Sequence, residues 1–289
     1  MMNWTNSLLK TRARAKLKGR WKKYLLIGLL YLALTNIAAL IGSFALPEYV
    51  PYPEWALGQY FSKNPTLLEE LIEMYPAEDL TVLRELVDLR MTARDLLWNA
   101  ADVLFSAAFS IFFMQVLAVG QCRWYMEMHE GTSRVGTLFS VFANGTQWLN
   151  TAWVRLCVAV RTILWSLLFF LPGLVYGYKM FLVPYLLAEN PYMNKKRAIQ
   201  LSKVLTKGEK LRIFLLQLSF IGWLLLEGLV AGFLTAIAPP LGLLASIAGS
   251  LLILCYMNAT MAELYACMRE KAFRMGYSDQ TELAGFAAM

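Results

Sequence analysis

Apolar residues in this chain arrive in long blocks with almost no charge inside them, and polar residues gather in the segments between. A helix needs about 20 mostly apolar residues to cross ~30 Å of hydrocarbon. The first block, Tyr24 to Leu46, is longer than the apolar part of a cleavable signal, about 7–15 residues, and ends at Pro47, so it reads as a retained anchor. The second, Leu97 to Gly120, predicts a returning span. From Trp153 to Ala188 the run is 36 residues. As one straight helix it would measure about 54 Å, so a break at Pro172-Gly173 is expected to divide it into helices three and four. Helix five is predicted over Leu211–Thr235, the turn at Pro239-Pro240, and helix six from Leu241 to about Ala266.

Between the spans the pattern shifts to shorter amphipathic stretches. Leu9, Ala13, Leu17 and Trp21 recur every four residues among Lys and Arg, the pattern of a basic helix lying on the inner leaflet, with a solvated, orientation-setting charge run as the alternative. Residues 47–96 predict an acidic extracellular cap inserted between helices one and two. Its short helices are marked by Leu67, Leu68, Leu71, Ile72 and Tyr75, and by Val82, Leu83, Leu86 and Val87, either side of Pro76. Val135, Leu138, Phe139, Phe142 and Trp148 suggest an interfacial helix. Asn194 is placed to cap a helix with Ala198, Leu201, Val204 and Leu205 as its stripe and Gly208 as its stop.

Composition supports lipid as the solvent. The chain is 58% hydrophobic and only 16% charged, against about 25% charged in soluble domains. The net charge of +7 sits beside the apolar blocks, which argues against a nucleic-acid surface. Eight Lys or Arg lie between Lys10 and Lys23 and seven between Lys195 and Arg212, while Pro47 to Leu96 holds ten acids and four bases. The positive-inside bias then puts both termini, residues 121–150 and residues 190–212 in the cytoplasm. The expectation is an all-α, multi-pass bundle of six spanning helices with amphipathic interfacial helices, a single integral domain over residues 1–289.

Several strings taken together resemble one family: Ala15-Lys16-Leu17-Lys18-Gly19-Arg20-Trp21, Pro172-Gly173, Ala198 to Gly208 with Ser202, Leu218 to Trp223, and Tyr256-Met257-Asn258-Ala259-Thr260. Their order and spacing are similar to the bacterial integral membrane proteins of domain-of-unknown-function family 975. The resemblance implies a six-helix bacterial plasma-membrane protein with no established activity, more distantly similar to the non-catalytic membrane part of some glycerophosphodiester phosphodiesterases. Cys255 stands where the family's proline is expected, and Leu264-Tyr265 where it has Phe-Tyr.

Motifs for catalysis are sparse. The sole histidine, His129, falls in a predicted polar inner loop and reads as a surface residue without metal or triad partners. Glu69-Glu70 resembles the paired glutamates of an intramembrane protease, but Met74 replaces the arginine that motif needs. The four cysteines suggest neither disulfides nor zinc, and no cofactor is expected. The costly residues are the charges inside apolar blocks, Asp102, Arg161, Lys179, Glu227 and Glu263, with Arg161 and Glu263 able to reach the inner face. Lys179, Glu227 and Asp102 are expected to form an intramembrane cluster, structural or lining a path. Lys195, Lys196, Arg197, Lys203 and Lys207 are expected to meet anionic lipid headgroups. The function expected is a non-enzymatic scaffold or accessory protein engaging lipids or a membrane-protein partner, with transport of a lipid or small solute as the alternative.

Overall fold

The computed structural model describes residues 4–45, 100, 104–105, 108–131 and 133–285, with side chains left aside at 37–45 and 110. The chain divides into two compact units, residues 1–35 with 110–289, and residues 36–109. The cap segment and Asp102 lie outside the described residues.

All the regular structure described is helical: α1 (Asn6–Leu17), α2 (Trp21–Ala45), a π-turn (Ser110–Met114) leading into α3 (Gln115–Glu130), a 3-10 stretch (Val135–Ala143), α4 (Gly145–Leu168), α5 (Phe170–Lys179), α6 (Val183–Glu189), α7 (Lys195–Leu205), α8 (Lys210–Ile237) and α9 (Pro239–Arg274). Among the described residues four segments are long and apolar enough to cross a membrane: α4, α5 with α6, α8, and α9.

The breaks follow one rule. Proline lacks an N–H, and its ring collides with the carbonyl four residues back, so a continuous helix cannot pass through it, whereas the first helical turn accepts it. Pro172 therefore stands in the first turn of α5, and α4 stops at Leu168, the residue whose carbonyl the ring would strike. The break falls on extended Phe169, φ −159° and ψ 146°, three residues before the expected Pro172. Pro184 and Pro239 likewise open α6 and α9, and extended Ala238 separates α8 from α9. Both hairpin corners use the same side-chain device. Ser166 and Thr235, one turn before the break, bond back to the carbonyls of Thr162 and Ala231, and a Cβ on Gly173 or Gly242 would overlap them.

Helix two extends further than its sequence suggested. Gly120 is not a stop: a Cβ there would overlap the Leu138 carbonyl, so the glycine lets α3 touch the 3-10 stretch, and the helix continues ten residues to Glu130. Val135 to Ala143 is that 3-10 stretch, with Leu138 and Val141 buried in protein and Phe139 exposed. Trp148 belongs to α4 and donates its indole N–H to the Phe112 carbonyl at 2.7 Å. The α1 stripe is also corrected. Leu9, Ala13 and Leu17 are fully buried in the core, and α1 packs on α9, so that face meets protein and not a leaflet.

Candidate functional site

Arg155 sits in the second turn-pair of α4, facing α3. Its Nε and Nη2 both donate to the Gln115 side-chain carbonyl, the former at 3.0 Å. A guanidinium has five N–H donors, and among the described residues the other three have no protein acceptor and no carboxylate closes on Arg155 as an ion pair. A charge of this kind within a spanning helix is costly and belongs beside water, a ligand or a counter-charge.

What lies beside it is a cavity of about 540 Å³ between α3, α4, α5, α6, α8 and α9. Its polar lining comes from Gln115, Arg155, Thr162, Gln217 and Asn258. Gln217 accepts the Tyr178 hydroxyl at 2.7 Å, leaving its own amide N–H groups free of described partners. The Asn258 Nδ2 is buried without a partner at hydrogen-bonding geometry, although the Tyr125 hydroxyl is near it. Donors therefore outnumber acceptors around the cavity. Above it, between α4 and α5, runs a groove of about 340 Å³ lined by Ser166, Phe170, Gly173 and Leu174. Cavity and groove share Thr162, Gly177, Phe181 and Gln217, and so lie side by side. Gly177 has open space where a Cβ would stand.

At the end of the unit that carries α1 and α7, the polar groups are arranged differently. Glu189, fully buried at the end of α6, lies 2.8 Å from Arg269 Nε in an ionic contact off the hydrogen-bond line, accepts the Tyr265 hydroxyl at 2.6 Å and the Gly285 N–H at 2.9 Å. Arg269 also reaches Glu130 at 2.9 Å. His129 is not in a loop: it ends α3, and its Nδ1 is 2.6 Å from buried Glu263, which therefore does not reach toward solvent. Arg212 and Lys271 both pair with Glu209, at 3.1 and 3.0 Å. The segment after α9 folds back over this layer. Arg197 grips Glu282 with two bonds of 2.6 Å and donates to the Tyr277 carbonyl at 2.7 Å. That fork holds the Glu282 carboxyl below the usual glutamate range and raises Arg197 above its ordinary value.

The residues singled out from sequence fall as follows. Lys179 ends α5, and its backbone carbonyl accepts Ser202 at 2.7 Å. Glu227 lies between α8 and α9 against Gly249, with Ser250 donating to it at 3.3 Å, in an apolar groove of about 760 Å³ that Trp223, Leu226 and Leu252 line. No ion pair joins the two. Tyr178 bonds Gln217, ten residues from Glu227, so Glu227 lies about 15 Å along α8 from the end of α5. The end of α5 packs level with Gln217 and not with Glu227, so the expected cluster does not form between them. Asn194 caps α7 as expected, its side chain accepting the Lys196 N–H, and Gly208 closes the following turn at φ +79°. Lys196, Lys203 and Lys207 are exposed, whereas Lys195 stands over Trp153 at 5.2 Å and Arg197 serves the C-terminal fold. Arg161 has no ion pair among the described residues. Arg155, two residues into an apolar block, is not among the charges singled out from sequence. Its signal was the coincidence of an arginine with glutamines in neighbouring spans, at Gln115 and Gln217.

Among the described residues no three His, Cys, Asp or Glu are grouped to hold a metal. No curated protein and no solved structure matches the chain. One family model does, over residues 1–272, and with nearly the whole chain matched this protein belongs to the family described as Protein of unknown function DUF975.

Proposed function

We propose that the chain is a non-enzymatic accessory protein of a bacterial plasma membrane that engages lipids, and through them or beside them a membrane partner. Six spanning helices, with both termini and the segments 121–150 and 190–212 in the cytoplasm, complete this reading. The observation that carries it is the arrangement of α7. Ala198, Leu201 and Leu205 dock into the bundle while Lys196, Lys203 and Lys207 project outward, next to the start of the spanning helix α8. Each basic residue held at an anionic membrane surface contributes about 1 kcal/mol.

Native mass spectrometry of the protein released from membranes in a mild detergent tests this. Anionic lipids enriched over their share of the membrane, and reduced in the K196Q/K203Q/K207Q triple variant, are expected; adducts that mirror bulk composition in both proteins would remove the basis of the proposal. For the orientation, a cysteine placed at Lys203 should resist an impermeant thiol reagent added outside intact cells. Transport of a lipid or small solute is the second reading, favoured by the open cavity with polar groups between the helices at Arg155. Arg155-dependent movement of such a molecule across reconstituted vesicles would establish it.

A further inference from the structure

We infer that the cavity at Arg155 and the groove beside it form one binding site for a single anionic lipid, with the phosphate held by Arg155 and an acyl chain lying between α4 and α5. This rests on the lipid-engaging reading above and gives it a site distinct from the lysines of α7.

The head end is defined by charge and donors. Arg155 has a guanidinium with three N–H groups that no described residue accepts, and Gln217 adds an amide donor beside the same space. Among the described residues no carboxylate pairs with it, so a bound anion would supply the missing counter-charge. A guanidinium matches the two oxygens of a phosphate or carboxylate in geometry as well as sign. The tail end is defined by shape. From Thr162 and Gly177 the space continues along Ser166 to Leu174 and Phe170, which are exposed on the apolar outer face of the hairpin. A free phosphate would satisfy Arg155 and leave the groove unused. An anionic amphiphile uses both, and the missing Cβ at Gly177 keeps the passage between them open.

The test uses the full chain, purified in non-ionic detergent and titrated with phosphatidylglycerol, phosphatidylcholine and sodium phosphate, with native mass spectrometry as the readout. The expected result is one phosphatidylglycerol per chain, preferred over phosphatidylcholine. Arg155→Gln should lower that preference at least about tenfold, the loss expected for one charged hydrogen-bond partner, and Arg155→Lys should restore part of it. Gly177→Leu, which leaves the arginine in place, should weaken both lipids by obstructing the junction. An unchanged preference in Arg155→Gln would overturn the site while leaving lipid engagement through α7 intact. Equal binding of the two lipids by the natural protein would overturn the anionic head, and phosphate displacing nothing in Gly177→Leu but binding as well as in the natural protein, with no lipid retained there or in the parent, would overturn the lipid and the broader reading with it.

Discussion

Two polar regions of the same unit treat charge in opposite ways. In the layer beneath α1 and α7, buried Glu189 and Glu263 and half-buried Glu209 have each found a cation or a set of donors: Glu189 with Arg269 and Tyr265, Glu263 with His129, Glu209 with Arg212 and Lys271. At Arg155 a half-buried cation is given an amide carbonyl and an open cavity. A satisfied ion pair fixes packing, and removing one partner leaves the other stranded. A cation left with donors as neighbours does little for packing and is available to something else. The first region is structural by this criterion, and the second has the character of the site inferred above.

The largest effect that could break this contrast concerns Glu189. Glu189→Ala leaves the Tyr265 hydroxyl and the Gly285 N–H without their acceptor and takes the buried one of its two carboxylates from Arg269, and should destabilise the protein by about 3–5 kcal/mol, seen as a large drop in thermal unfolding temperature in detergent. Arg155→Gln should cost far less, or stabilise, because it removes an uncompensated charge from the spanning region. Comparable losses in the two variants would show that Arg155 is as structural as the ion-paired layer.

A smaller effect comes from pH. Glu282 is held below its ordinary value of about 4.3 by its fork to Arg197, so the contribution of this contact is fully present above that value and disappears as pH falls through the lower docked value. Hydrogen-exchange protection over residues 277–285, taken relative to the intrinsic rate at each pH, should therefore hold above the ordinary glutamate value and fall as pH drops below it. Arg197→Gln should give the faster exchange at every pH. Smallest of all, Lys179→Gln and Glu227→Gln should combine additively to within about 0.5 kcal/mol, as expected of residues that share no contact.

How much of this could be read from the residues depends on how local the cause is. The spans of α4, α8 and α9, the Asn194 cap and the Gly208 stop were legible because apolar run length, an amide before a helix and a glycine after it act within a few residues. Prolines marked the breaks but not their position, since the steric conflict of Pro172 falls on Leu168. Gly120 misled because a glycine that ends a helix and one that admits a neighbouring backbone look alike in sequence. The pairing of His129 with Glu263, 134 positions apart, and of Arg155 with Gln115 depends on which helix faces lie together, and hydrophobic pattern does not determine that. For the same reason Lys179 and Glu227, both isolated charges in apolar blocks, invited a pairing that the fold does not make.

The matched corners at Phe169 and Ala238 bear on how the chain gets into a bilayer. From Thr162 to Tyr178, and again from Gly228 to Ala262, there is no Asp, Glu, Lys or Arg. Each corner breaks the helix at a single extended residue, and the Ser166 and Thr235 hydroxyls are turned back onto their own helices. Phe169, Phe170 and Leu171 at one tip, and Ile237 and Leu241 at the other, are exposed and apolar. During biogenesis each corner can thus enter first as a preformed tip, with no ionised group at its leading edge and few unsatisfied peptide groups exposed on the way.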